Sequence, residues 1–128
     1  GLRTKHAFTS NQMILEYIGE IVTKDECLDR MGNAYKSDKV GDFYLLAIDR
    51  NFVIDATKRG SLARFVNHSC QPNCRVESWI VGQEPRLALF ANSRIEVNEE
   101  LTFDYQFKPF SRQVDKCKCG SIRCRGVL

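Results

Sequence analysis

The sequence predicts a mainly β fold with short helices, and three observations predict it. Apolar runs are brief and rich in β-branched and aromatic residues, turn-forming residues separate them at close intervals, and helix signals are confined to two short stretches. With 128 residues, 43% hydrophobic and 27% charged, the chain has the length of one domain and enough apolar content for a core.

Residues 13–22, Met-Ile-Leu-Glu-Tyr-Ile-Gly-Glu-Ile-Val, read as one buried strand. Thr23-Lys-Asp-Glu26 then matches a capping box. Cys27, Leu28 and Met31 share a helical face before Gly32 offers a stop. Phe43 to Ile48 and Phe52 to Ala56 flank Asp49-Arg50-Asn51 as a hairpin. A second hairpin runs from Cys74 to Val81 and from Arg86 to Ala91, turned by Gly82-Gln83-Glu84-Pro85. Asn98, which tolerates the left-handed region, precedes a last strand over Leu101-Thr-Phe-Asp-Tyr105. Between the hairpins, residues 60–73 begin like a brief helix and end as polar chain, the composition of a site rather than a core.

No run of about 18 apolar residues and no secretory leader pattern exists, so no membrane partner is expected. The opening Gly1 in place of Met suggests an excerpt of a longer protein. Charge is uneven: residues 108–128 carry six Lys or Arg against one Asp, within a total of only +3. The same stretch holds Cys117, Cys119 and Cys124, half of the six cysteines. Three thiols within eight residues suit ligands converging on one zinc ion better than disulfides. Cys70 is the preferred fourth ligand because it would fasten the tail to the polar segment, and Cys74 is its local competitor. Cys27 reads as an apolar filler. Four thiolates around zinc leave a net charge of about −2, which basic tail residues offset, so charge alone argues weakly for nucleic-acid binding.

Arg64-Phe-Val-Asn-His-Ser-Cys-Gln-Pro-Asn73, Glu100-Leu-Thr-Phe-Asp-Tyr105 and Cys117-Lys-Cys-Gly-Ser-Ile-Arg-Cys-Arg-Gly126 together resemble the SET domain and post-SET zinc motif of protein-lysine methyltransferases. The resemblance spans the chain. It implies small sheets in which the Asn67-His68 segment and the strand ending at Tyr105 meet in a knot-like crossing. It divides the chain into a SET domain over residues 1–107 with a truncated N-terminal edge, a connector over 108–116 and a post-SET zinc motif over 117–128. The connector and the final residues are most similar to the branch named for absent, small or homeotic discs, whose members methylate lysine thirty-six of histone H-three.

The resemblance implies S-adenosylmethionine as methyl donor, with zinc on Cys70, Cys117, Cys119 and Cys124. Tyr105 is implied at the methyl-transfer point, Tyr44 in the lysine channel, and Phe103 where the number of methyl groups is set. A Phe there leaves room for an already methylated lysine. Donor binding is implied for Asn67 and His68, for the flanking Arg64 and Phe65, for Phe43 and Tyr44, and for Gly1-Leu2 at the end of a donor loop. Val127 or Leu128 would reach the adenine. The connector over 106–116 would lie across the channel. The implied setting is nuclear and chromatin-associated, with the histone H-three tail on a nucleosome as substrate, contact with nucleosomal DNA compatible with the basic tail, and a monomeric chain. Lysine four of the same histone, or an idle chromatin-binding module of the same fold, are the alternatives. A zinc-bearing nucleic-acid binder is the weaker rival.

Overall fold

The structure, a computed structural model, describes residues 1–34, 44–104 and 119–124. Among the described residues, nine strands and one short α-helix make up the regular elements, with a π-helical turn and a 3-10 turn. No helix among the described residues is long and apolar enough to cross a membrane.

The strands form two sheets. The larger joins β1 (Leu2–Arg3), β9 (Glu100–Phe103), β7 (Cys74–Val81), β8 (Glu84–Ala91) and β2 (Met13–Tyr17) in that spatial order, with β6 (Asn67–His68) also paired to β9. The smaller orders β3 (Glu20–Thr23), β5 (Phe52–Asp55) and β4 (Leu45–Ala47). The middle of β8 is covered on both faces: Leu87, Ala88 and Leu89 are all buried, whereas Arg86 is exposed. One cluster packs Val66, Leu89, Ile95, Leu101 and Phe103 beneath the site, and a second packs Tyr17, Ile54 and Leu87.

The single strand expected over 13–22 is instead two strands in different sheets. Gly19 explains the break. A Cβ there would stand 2.7 Å from the Asp55 backbone oxygen and 2.7 Å from Ile54 Cγ2, so only glycine lets the chain pass this close to β5. Gly60 presses in similarly, its virtual Cβ 2.8 Å from the Ile18 oxygen. Ser61 stitches this point: its Oγ donates to the Glu16 carbonyl at 2.7 Å and accepts from the Ile18 N–H at 3.3 Å.

Half of the expected capping box forms. Thr23 Oγ1 accepts the Glu26 N–H at 3.2 Å, starting α1 (Lys24–Asp29), but the Glu26 carboxylate turns to Arg30 Nε at 3.0 Å rather than back to Thr23. The helix also runs past Gly32 as a π-helical turn over Arg30–Ala34. Cys27 is fully buried as an apolar filler, whereas Leu28 is 43% exposed, so the expected apolar face is narrower than its spacing implied.

The two hairpins form antiparallel pairs. The first is turned by Asp49, whose Oδ1 accepts the Asn51 and Phe52 N–H groups at 2.7 and 2.9 Å. Those bonds hold its carboxyl below the ordinary value. The second hairpin has a two-residue turn, Gly82-Gln83, rather than the expected four residues, since Val81 already pairs with Glu84. Gly82 has φ +67° and Gln83 has no positive φ, the pattern of a II′ turn. Pro85 sits inside β8, beyond the reach of β2, which pairs only from Leu87 onward. Asn98 does adopt the left-handed region, at φ +69°. The last strand ends at Phe103, and Tyr105 lies outside the described residues, as do Phe43, Cys117, the connector over 108–116, and Val127 and Leu128.

Candidate functional site

The polar segment after the second cluster acquires structure by clasping β9. Ser61 caps the 3-10 turn Leu62–Phe65 by accepting the Ala63 N–H at 3.3 Å, and the chain then straightens at Val66 into β6. Asn67 pairs with Thr102 and His68 with Phe103 in a parallel register, while Cys74 pairs with Phe103 on the opposite edge. Asn73 fastens the far end of the loop. Its amide donates to Glu99 Oε2 and the Glu100 carbonyl, both at 2.8 Å, and its oxygen accepts the Thr102 N–H at 2.9 Å.

Asn67, Gly1 and Glu100 converge at one corner. Asn67 Nδ2 donates to Glu100 Oε2 at 2.9 Å, and a Cβ on Gly1 would stand 2.6 Å from that oxygen. A side chain on residue 1 would therefore fill the cradle beside Asn67. Leu2 pairs with Leu101 in the same corner.

Tyr44, Arg64, Phe65 and Phe103 form a second group. The Tyr44 backbone oxygen accepts from Ala56 at 2.7 Å, and its N–H donates to Thr57 Oγ1 at 3.1 Å. Its ring meets Phe65 edge-on at 5.6 Å. The Arg64 guanidinium lies 4.7 Å from the Phe65 ring centre and donates through Nη1 to the Ala56 carbonyl at 3.1 Å. Its Nε is buried without a hydrogen-bond partner among the described residues. Among the described residues, Tyr44, Arg64, Val66, Cys74 and Phe103 border a cavity of about 790 Å³, a size suited to a small molecule or side chain.

Three thiols gather at a third point. The sulfurs of Cys70, Cys119 and Cys124 all lie within 4.8 Å of one another, with Cys70 and Cys124 4.0 Å apart. Such spacing fits the edges of a tetrahedral zinc–thiolate site with Zn–S bonds of about 2.3 Å. Ser121 Oγ also donates to Gln71 Oε1 at 2.5 Å, joining the tail to the polar segment beside the sulfurs. Three of the four expected ligands therefore meet. Cys74 does not join them: it is fully buried in the core, and that burial, helped by the Glu99 carboxylate and opposed by the Thr102 N–H, pushes its thiol from 9.0 up to about 11.

His68 stands between the thiols and β9. Its Nε2 is 3.3 Å from Cys70 Sγ and its Nδ1 is 3.7 Å from Asp104 Oδ1, with the side chain only 4% exposed. The roles of Asp104, Glu100 and Asn73 were not read from the sequence. All three lie in two of the motifs that carry the resemblance, and their contacts depend on the parallel pairing of β6 and β7 with β9.

Comparison with known proteins matches residues 1–106 to the model of the SET domain. Across all of this chain, identity is 42% to Histone-lysine N-methyltransferase ASHR3 of Arabidopsis thaliana, of which it covers 25%. It is 44% to Histone-lysine N-methyltransferase ash1 of Drosophila melanogaster, covering 6% of that protein. It is 41% to the Homo sapiens Histone-lysine N-methyltransferase, H3 lysine-36 specific, covering 5%. The chain thus spans a quarter or less of the length of these relatives.

Proposed function

The chain belongs to the SET-domain family, and on that premise we propose that it is the catalytic domain of a lysine methyltransferase acting on lysine thirty-six of histone H-three. The observation that carries this reading is the parallel pairing of Asn67–His68 with Thr102–Phe103, which joins two of the motifs that carry the family resemblance and so supports a shared site. The names of the relatives agree with the substrate, since several are histone H-three lysine-36 enzymes.

S-adenosylmethionine, when bound, supplies a methyl group on a positively charged sulfur. The chain must present a neutral lysine amine to it. Near pKa ~10.4, a free lysine requires about 4–5 kcal/mol to reach that form at pH 7. Tyr44 and Phe103 serve as walls of the lysine channel, and a desolvated ammonium loses its advantage over the amine there. Tyr105 orients the amine for in-line attack. Phe103, lacking a hydroxyl, leaves space for a methylated lysine, so products beyond monomethyl-lysine are expected. Asn67, the cradle at Gly1, Leu2 and backbone atoms of His68 hold the donor, with Phe43, Arg64 and Phe65 at its flank. Cys117 completes the zinc site with Cys70, Cys119 and Cys124, making residues 117–128 a post-SET motif. The branch is that of absent, small or homeotic discs, and the domain works in the nucleus as a monomer on nucleosomes, with its basic tail near DNA.

The test is methyl transfer from labelled S-adenosylmethionine to recombinant nucleosomes, intact or lacking lysine thirty-six of histone H-three, with Tyr105→Phe as control. The expected result is signal on intact nucleosomes alone, lost with Tyr105→Phe. Signal retained on the lysine-deficient substrate would move the site elsewhere, with lysine four first in line. Zinc-loaded protein that fails to bind the donor would point to an idle module.

A further inference from the structure

We propose that the imidazole of His68 is the hydrogen-bonding partner of the Cys70 thiolate in the zinc site, and that with Asp104 it welds the cysteine tail to the end of β9. The inference rests on the zinc reading above and assigns His68 a role separate from donor binding. Three observations carry it. The ring is buried, so its nitrogens are satisfied by protein groups rather than bulk water. Nε2 lies 3.3 Å from Cys70 Sγ, within hydrogen-bond range for sulfur. Nδ1 faces Asp104 Oδ1 at 3.7 Å, longer than a direct hydrogen bond but close enough for the carboxylate to orient the ring.

The backbone holds the residue that carries this ring. His68 pairs with Phe103 across the two strands, and the next residue, Ser69, donates its N–H to the Phe103 carbonyl at 3.2 Å. The backbone that carries the imidazole is therefore held against β9, and the ring's own contacts and burial set its direction.

Chemistry gives the contact a purpose. Four thiolates around Zn²⁺ carry excess negative charge, and an N–H aimed at one of them disperses it. Cys70 is the cluster member supplied by the body, while Cys119 and Cys124 come from the tail. A donor on Cys70 thus stabilises the negatively charged site at the one ligand that joins the two parts. On the other side of the ring, Asp104 immediately precedes Tyr105, so the joint terminates next to the proposed transfer point. Outer partners of metal ligands are worth about 10–100-fold in metal affinity, and that is the effect expected here.

The experiment measures zinc affinity by competition with a chromophoric chelator at fixed pH, for the wild type, His68→Gln, Asp104→Asn and the double variant. His68→Gln is expected to bind zinc about 10–100-fold more weakly. Asp104→Asn should weaken it less, and the double variant should be no weaker than His68→Gln, because both residues act through one ring. With cobalt in place of zinc, the sulfur-to-metal charge-transfer band of His68→Gln should move to longer wavelength, a shift that general loosening of the fold would not produce. Affinity of His68→Gln within twofold of wild type, or losses that simply add in the double variant, would overturn the proposal. If His68→Gln fails to fold, Asp104→Asn decides alone, and unchanged affinity there overturns it. Wild-type protein that binds no zinc would instead refute the zinc reading, a result separate from the ratios between variants.

Discussion

Substituting Gly19 by alanine tests whether the break between β2 and β3 is dictated by close packing. The added methyl would sit 2.7 Å from a backbone oxygen, where ordinary contact begins at 3.4 Å, so β5 or the Ile18-Gly19 link must give by about 0.7 Å. Neither neighbour is the free end of a flexible side chain. Overpacking of this kind costs about 1–3 kcal/mol, and the stiffer unfolded chain returns about 0.4–1 kcal/mol. A net loss of about 1–2 kcal/mol follows, or about 4–8 °C in Tm for a domain of this size. Gly32→Ala is the matched control, since nothing lies within 4 Å of its virtual Cβ. That variant should be neutral or gain up to about 1 kcal/mol. Urea denaturation with an unchanged slope would measure both. Gly19→Ala should also lower methyl transfer, because Ala56 and Thr57, directly after the displaced Asp55, hold the Tyr44 backbone. Coincident urea midpoints for the two alanine variants would refute the packing argument.

Ser61→Ala removes the helix cap, the donor to Glu16 and the acceptor for Ile18, and should cost about 1–3 kcal/mol in a urea titration. A loss below about 0.5 kcal/mol would show those bonds to be replaceable by water. The raised Cys74 thiol makes stability fall with rising pH. The folded state keeps its proton up to about 11 while the unfolded chain releases it from about 9, so the contribution is whole below that window and lost through it. Comparing wild type with Cys74→Ala between those limits isolates this slope, and identical pH profiles would contradict it. Chelation of zinc should abolish methyl transfer before the body melts. Trp79, stacked on Phe90 at 6.1 Å in the β7–β8 hairpin, reports the body by fluorescence, and simultaneous loss of both signals would argue against an independent tail.

Local chemistry made much of this fold legible. Both hairpins announce themselves through turn residues flanked by apolar runs, and the left-handed Asn98 through its residue type. The strand break at Gly19 was not legible, because the pressure on it comes from Ile54 and Asp55, more than thirty residues away. The overlong turn at 82–85 misjudged Pro85, which reads as a breaker but is harmless where no third strand needs its N–H. At the site, residue types gave the thiol cluster, and the place of Cys70 in the polar segment favoured it over Cys74. Spacing fixed no partner for His68, since Asp104 reaches it only through a parallel strand pair.

That parallel pair also bears on the order in which the molecule assembles. The β7–β8 hairpin closes around two residues, an event of about 1–10 μs in isolated peptides. Joining β6 to β9 encloses more than thirty residues, and joining β1 to β9 nearly a hundred. Loop-closure entropy rises with those spans, so the hairpin forms early and both pairings that build the corner around Asn67 and Gly1 come late. On an unfolding excursion the same pairings should release first. Amides of Leu2, Asn67 and His68 would then exchange with solvent ahead of those in the hairpin, leaving a folding core that outlives the proposed site.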